Sequence, residues 1–136
     1  MTRRILIIDD DEEIRETLGE LLSDEGYEVI EAGDGADALA RLAVEKHPNL
    51  ILLDLMMPNM DGWKFHSELQ KDSALASIPV VVMTAAGRGI SSTIAVPDIL
   101  HKPFSLEDVM AVVSRHCERP HAAESESRDE AKLGER

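Results

Sequence analysis

The stretch Leu50-Ile51-Leu52-Leu53-Asp54 decides the fold of this chain. Its apolar residues show no polar alternation, which predicts a β-strand buried on both faces, as in a parallel sheet. Asp54 follows at the carboxyl end of that strand, and in an open α/β sheet this end faces the ligand crevice. An aspartate at such a point often only caps the next turn, so the meaning of Asp54 depends on the rest of the chain.

Further apolar runs predict four more strands, at residues 5–8, 27–32, 78–83 and 98–101, and a helical segment follows each strand. Gly26 is expected to close the first helix, Asp34 to cap the second, and Ser105 with Asp108 to form a capping box on the last. Strands that alternate with helices predict an α/β, doubly wound parallel sheet of five strands with helices on both faces. The flavodoxin-like strand order 2-1-3-4-5 is taken by analogy with that class of fold.

Composition limits the domain count and the kinds of partner. The 136 residues suit one domain, and a net charge of −13 argues against binding nucleic acid or an anionic membrane. The single cysteine, Cys117, and the lack of a long apolar stretch indicate a cytoplasmic protein. Residues 118–136 are polar and charged, so we expect a domain at 1–117 followed by a disordered tail.

Polar residues follow four of the predicted strands. Asp9 and Asp10 follow the first, Asp54 the third, Thr84 the fourth and Lys102 the fifth. Parallel strands bring these residues to one edge of the sheet. Three carboxylates there would repel each other unless a cation lies among them. Mg²⁺ prefers such oxygen ligands. A hydroxyl and an ammonium suit phosphoryl oxygens. The pattern predicts Mg²⁺-assisted phosphoryl transfer with Asp54 as the nucleophile.

Each of these residues also has a simpler interpretation. The acidic run 9–13 could stabilise a helix N-terminus, although one cap suffices there. Thr84 alone could be a turn hydroxyl, and Lys102 alone a solvated surface lysine. Their coincidence at the ends of four apolar strands favours a common site.

Four stretches resemble the receiver domain of bacterial two-component response regulators, the CheY-like family. The resemblance covers Thr2 to about Cys117. The stretches are Ile5-Leu6-Ile7-Ile8-Asp9-Asp10-Asp11, Leu53-Asp54-Leu55-Met56-Met57-Pro58-Asn59-Met60-Asp61-Gly62, Met83-Thr84-Ala85 and His101-Lys102-Pro103-Phe104.

The resemblance implies a phosphoacceptor and a metal site. Asp54 would take a phosphoryl group from a phosphohistidine on a sensor histidine kinase or a histidine phosphotransfer protein. Mg²⁺, or Mn²⁺ in its place, would be bound by Asp10, Asp54 and the backbone carbonyl of Met56, with Asp9 acting largely through water. Helix 1 and the loops around the site would dock the phosphodonor.

The resemblance also implies a phosphoryl-binding switch. Lys102 would pair with Asp54 or its phosphoryl oxygens, Thr84 would swing toward the phosphoryl group, and the backbone of Ala85 would contact it. The Lys102–Pro103 bond would be cis.

Two features depart from the family pattern. The switch position three residues before the lysine is Ile99 instead of an aromatic residue. The interval from Thr84 to Lys102 is about one helical turn shorter than usual. The helix between the fourth and fifth strands should therefore be short or irregular, and partner choice cannot be transferred from the family.

The expected function is that of a stand-alone receiver that switches protein–protein interactions. It would catalyse only its own phosphorylation and dephosphorylation, and would otherwise not be an enzyme. An unknown downstream protein would be its output partner, and a phosphorylation-dependent dimer is compatible with this function. One alternative is an interaction module that works without phosphorylation. Another is a phosphatase of the haloacid-dehalogenase type, but such enzymes carry a second Asp two residues after the nucleophile, where this chain has Met56.

Overall fold

The computed structural model of the protein describes residues 3–87 and 89–117. The predicted tail at 118–136 lies outside these residues. The strands are β1 (Arg4–Ile8), β2 (Glu28–Ala32), β3 (Leu50–Asp54), β4 (Val80–Thr84) and β5 (Asp98–His101). The helices are α1 (Glu12–Asp24), α2 (Gly35–Val44), α3 (Gly62–Gln70), α4 (Ser73–Ala76) and α5 (Leu106–His116), with a 3₁₀ turn at Ile90–Ser92.

The five strands form one sheet in the order β2-β1-β3-β4-β5. Every neighbouring pair is parallel, which confirms the predicted flavodoxin-like sheet. In the register of the sheet, Asp54 lies opposite Met83, and Thr84 lies opposite His101. The carboxyl ends of β3, β4 and β5 therefore meet at one edge.

Helices cover both faces of the sheet, and every residue of β3 is buried. This burial explains the unbroken apolar run, because each side chain of β3 meets a helix layer on one face or the other. Burying one such leucine or isoleucine contributes about 1.5–3 kcal/mol. One layer packs Ile5, Ile7, Leu50 and Leu52 against Leu18, Leu22, Val109 and Val113. The other packs Leu6, Ile8, Ile51 and Leu53 against Ala38, Leu42, Phe65 and Leu69.

Local capping fixes the ends of the helices. Asp11 caps α1 by accepting from the backbone N–H groups of its first turn, and Gly26, just past its end, has a φ of 99°. Asp34 caps α2, and Ser105 and Asp108 form the predicted capping box on α5. No helix in the described part of the chain has the length and apolar character needed to cross a membrane.

The segment between β4 and β5 is irregular, as predicted. Within its described residues, the only helical element is the 3₁₀ turn, and Ile94 after it is buried against Leu55 and Val82. The one-turn helix α4, which Asp72 caps, was not predicted. Four residues are too few to show a helical period.

Candidate functional site

Three carboxylates meet at the carboxyl edge of the sheet. Asp9 and Asp10 follow β1, and Asp54 ends β3, so the topology brings them together. One oxygen from each carboxylate lies within 4.8 Å of the other two. Asp9 and Asp54 are buried, whereas Asp10 is exposed. The sequence-predicted acidic cluster is therefore assembled in the structure.

Asp9 is not the cap of α1, because Asp11 is the residue that caps this helix. The Asp9 carboxylate accepts from the Asp11 N–H at 2.9 Å and from the Lys102 ammonium at 3.1 Å. The backbone N–H of Asp9 donates to the carbonyl of Ala32 at 3.2 Å. Capping of α1 therefore accounts for Asp11 but not for Asp9.

Lys102 lies between two buried carboxylates. Its Nζ is 3.1 Å from Asp9 Oδ2 and 3.6 Å from Asp54 Oδ1. Its backbone N–H donates to the carbonyl of Thr84 at 2.7 Å, and the Lys102–Pro103 bond is cis. In this state of the protein the ammonium is closer to Asp9 than to Asp54.

The pKa of Asp54 reflects its burial and the charged groups around it. Burial and the neighbouring Asp9 carboxylate raise the pKa of Asp54 to about 6, against the opposing effects of Lys102 and of the Met56 N–H. The carboxylates of Asp9, Asp10 and Asp54 outnumber the one ammonium of Lys102, so the site holds excess negative charge. A divalent cation with oxygen ligands fits this donor set.

The remaining predicted residues lie in or just after β3, β4 and β5. Thr84 is fully buried, and its hydroxyl accepts from the Ala86 N–H at 3.0 Å. Ala85 is exposed beside it. The Met56 side chain is exposed, and its backbone N–H donates to Asp54 Oδ1 at 3.4 Å. Ile99 is half-buried and packs against the cluster of Leu55, Val82 and Ile94.

Arg15 is a residue of the site that the sequence reasoning did not identify. Its guanidinium donates to the backbone carbonyl of Asp9 at 2.7 Å and pairs with Glu31 at 3.3 Å. A basic residue near a helix N-terminus opposes the usual preference for acidic side chains there, and that anomaly is the signal that could have identified it.

An open, largely apolar groove of about 570 Å³ adjoins the site. It lies between α1 and the segment after β5, and its lining includes Ala85 and Lys102, of which Lys102 contacts Asp9 and Asp54. The other lining residues are Glu13, Ile14, Thr17, Leu18, Pro103, Phe104 and Leu106.

The fold and the strand-end acidic cluster define a CheY-like receiver. A family model described as the response regulator receiver domain matches residues 5–114. The chain belongs to this family, whose members act in two-component signalling with histidine kinases as phosphodonors.

Individual relatives agree with this membership. PilG of Pseudomonas aeruginosa is 37% identical over 121 residues, which cover 83% of this chain and 86% of PilG. The DNA-binding dual master transcriptional regulator RpaA of Synechocystis is 42% identical over 116 residues, covering 81% of this chain and 47% of RpaA. The chain thus spans most of PilG, but only about half the length of relatives such as RpaA.

Solved structures show the same fold. Chemotaxis protein CheY4 of Vibrio cholerae has a TM-score of 0.78 and 28% identity, with 85% of this chain and 99% of that chain covered. Response regulator TrrA of Thermotoga maritima, solved in complex with Mg²⁺-BeF, has a TM-score of 0.71 and 28% identity, with coverages of 84% and 98%.

Proposed function

We propose that this chain is a phosphoacceptor receiver in which Asp54 takes a phosphoryl group from a phosphohistidine. The phosphodonor is a sensor histidine kinase or a histidine phosphotransfer protein. The observation that carries the proposal is the meeting of Asp9, Asp10 and Asp54 within 4.8 Å, with Lys102 contacting two of them. Because the chain belongs to the receiver family, we interpret this cluster as a phosphoacceptor site.

Mg²⁺, or Mn²⁺ in its place, is the proposed cofactor. Asp10, Asp54 and the backbone carbonyl of Met56 would hold the cation, with Asp9 acting through water. The excess negative charge of the cluster and the raised pKa of Asp54 support a cation there. When bound, the cation supplies charge neutralisation for an incoming phosphoryl group.

The transfer exchanges one bond for another. A carboxylate oxygen of Asp54 attacks phosphorus, a P–O bond forms, and the P–N bond of the phosphohistidine breaks, with its electron pair leaving on the imidazole. The Lys102 ammonium and the Thr84 hydroxyl bind phosphoryl oxygens, with the backbone N–H of Ala85 as a further donor. Water later cleaves the acyl phosphate, which returns Asp54 as a carboxylate and releases phosphate. Both steps take place on Asp54 itself, so the domain acts as a phosphoacceptor that catalyses only its own phosphorylation and dephosphorylation.

The groove beside the site supports a docking place for the phosphodonor. It joins α1 to the segment after β5, and its lining brings Ile14, Phe104 and Leu106 next to Lys102. An apolar helix face of the donor could bury itself there while its phosphohistidine reaches Asp54. Output would then run through protein contacts on other parts of the surface.

Intact mass after incubation with acetyl phosphate tests the proposal. Wild type should gain one phosphoryl group only when Mg²⁺ is present, and Asp54→Asn should gain none. Asp61→Asn is the matched control, because Asp61 is an exposed carboxylate in the following loop and asparagine preserves its helix cap. If folded wild type gains nothing from acetyl phosphate or phosphoramidate, the phosphoacceptor proposal fails and an interaction module that works without phosphorylation takes its place.

A further inference from the structure

Arg15 ties α1 to the loop that carries two of the three carboxylates. It is the fourth residue of α1, and its side chain is only 18% exposed. One guanidinium nitrogen donates to the carbonyl oxygen of Asp9 at 2.7 Å, and Nε lies 3.3 Å from Glu31 Oε1 on β2. A single side chain thus connects a helix, the edge strand β2 and the β1–α1 loop.

The carbonyl that Arg15 binds belongs to the peptide group joining Asp9 to Asp10. A peptide group is planar, so fixing its oxygen fixes the orientation of the whole unit and the direction in which the chain enters Asp10. The Asp9 side chain already has partners in Asp11 and Lys102. The Asp10 carboxylate is exposed, and the orientation of this peptide group constrains where it lies.

We propose that Arg15 is a positioning residue for the metal-binding carboxylates, acting through the Asp9–Asp10 peptide group. This inference rests on the proposed Mg²⁺ site. Partners that orient metal ligands without touching the metal typically contribute 10- to 100-fold to metal affinity. Glu31 compensates the charge of Arg15, so the guanidinium can remain close to the site.

Charge and geometry predict opposite effects when Arg15 is removed. A guanidinium near a cation site repels the cation, so loss of its charge alone would tighten Mg²⁺ binding. Loss of the hydrogen bond to Asp9 would loosen the loop and weaken binding. The sign of the change therefore separates a positioning role from a background charge effect.

The test measures the Mg²⁺ affinity of folded protein by titration calorimetry. Arg15→Met removes the N–H donors and the charge but keeps an extended side chain, and we expect its Mg²⁺ affinity to fall about tenfold. Arg15→Lys keeps the charge but not the fork that reaches both Asp9 and Glu31, and we expect a smaller loss of about threefold. Circular dichroism establishes that each variant is folded.

Arg4→Met is the matched control. Arg4 also pairs with a glutamate of β2, Glu28, and donates to a backbone carbonyl, that of Lys46. Its side chain is 15% exposed, but it begins β1 and therefore lies at the opposite edge of the sheet. Removing it deletes the same charge and a similar set of contacts, and Mg²⁺ affinity should stay within about twofold of wild type because no metal ligand is touched.

A second readout is the Mg²⁺ dependence of phosphorylation by acetyl phosphate. In Arg15→Met the Mg²⁺ concentration for half-maximal rate should rise, while the rate at saturating Mg²⁺ stays near wild type. Unchanged or tighter Mg²⁺ binding in folded Arg15→Met overturns the inference. If that variant does not fold, unchanged affinity in Arg15→Lys overturns it. Failure of wild type itself to bind Mg²⁺ overturns the proposed function as well, so the two failures are distinguishable.

Discussion

The indole N–H of Trp63 donates a hydrogen bond to the hydroxyl of Thr93 at 3.0 Å. Trp63 lies at the start of α3, just after the loop that follows Asp54, and Thr93 ends the 3₁₀ turn between β4 and β5. The Thr93 hydroxyl in turn donates to the carbonyl of Ile90 at 2.6 Å. The irregular segment is therefore anchored to the first turn of α3, which directly follows the loop after Asp54.

Thr93→Val should break this anchor while keeping the shape of the side chain. The substitution removes both hydrogen bonds of the Thr93 hydroxyl, the one from Trp63 and the one to the Ile90 carbonyl, and should lower the free energy of unfolding by about 1–2 kcal/mol. The emission maximum of Trp63, the only tryptophan, should shift because its N–H loses a partner. Ser92→Ala is the control, since the Ser92 hydroxyl donates to Gly89 within the same turn at 2.7 Å. Equal emission in Thr93→Val and Ser92→Ala would contradict the prediction.

Gly62→Ala should destabilise the protein by crowding the residues next to the acceptor. A Cβ at Gly62 would lie 2.7 Å from Leu55 Cα and 2.8 Å from the carbonyl oxygen of Asp54. Backbone atoms cannot move away without distorting the chain, so the free energy of unfolding, measured with urea, should fall by about 1–3 kcal/mol. Phosphorylation of Asp54 should also be slower. At Gly87 an added Cβ would meet nothing within 4 Å, so Gly87→Ala should change stability little. Similar effects of the two substitutions would refute the steric argument.

Much of the fold was predictable because its signals are local. The apolar run 50–53 needs a helix layer on each face, and alternating strands and helices leave few topologies. The strand-end residues followed from that topology, since parallel strands bring Asp9, Asp54 and Lys102 to one edge. The short interval from Thr84 to Lys102 likewise predicted the irregular segment that the structure shows.

The contacts that could not be predicted depend on side-chain directions across distant parts of the chain. The bond from Trp63 to Thr93 spans 30 residues, and no periodic pattern specifies it. Arg15 is on the polar face of an amphipathic helix, where most arginines are solvated, and only the folded chain shows that it reaches the Asp9 carbonyl. Lys102 was expected to pair with Asp54, but its closer contact with Asp9 depends on distances that a sequence does not contain.

Lys102→Met should destabilise the metal-free protein at neutral pH. Methionine keeps the apolar stem but leaves the buried Asp9 and Asp54 carboxylates without their shared cation, which should cost roughly 3 kcal/mol. Urea unfolding in EDTA measures this decrease in the free energy of unfolding. Saturating Mg²⁺ should recover part of it. Lys64→Met is the control, because Lys64 is exposed and its pair with Glu68 at 3.5 Å should contribute less than about 1 kcal/mol. Equal losses in the two variants would show that Lys102 does not compensate the site.

Asp54→Asn should stabilise the metal-free protein at neutral pH. Folding raises the pKa of Asp54 from 3.8 to about 6, so the folded state binds a proton more tightly than the unfolded state. The stability contributed by this group is present below the unfolded pKa, falls as pH rises through the folded pKa, and stays low above it. A difference of about 2 between the two pKa values corresponds to at most roughly 3 kcal/mol.

The stability gain of Asp54→Asn over wild type should therefore depend on pH. It should be near zero around pH 4, where Asp54 is protonated in the folded protein, and should grow to its full size above about pH 7. Urea unfolding of both proteins in EDTA from pH 4 to 8 measures the difference between their free energies of unfolding. The contributions of the other acidic groups are present in both proteins and largely cancel in this difference. Adding Mg²⁺ at pH 7.5 should stabilise wild type more than the variant and narrow the gap. If the increase in the free energy of unfolding were constant across the pH range, the burial of an ionised Asp54 would not be its cause.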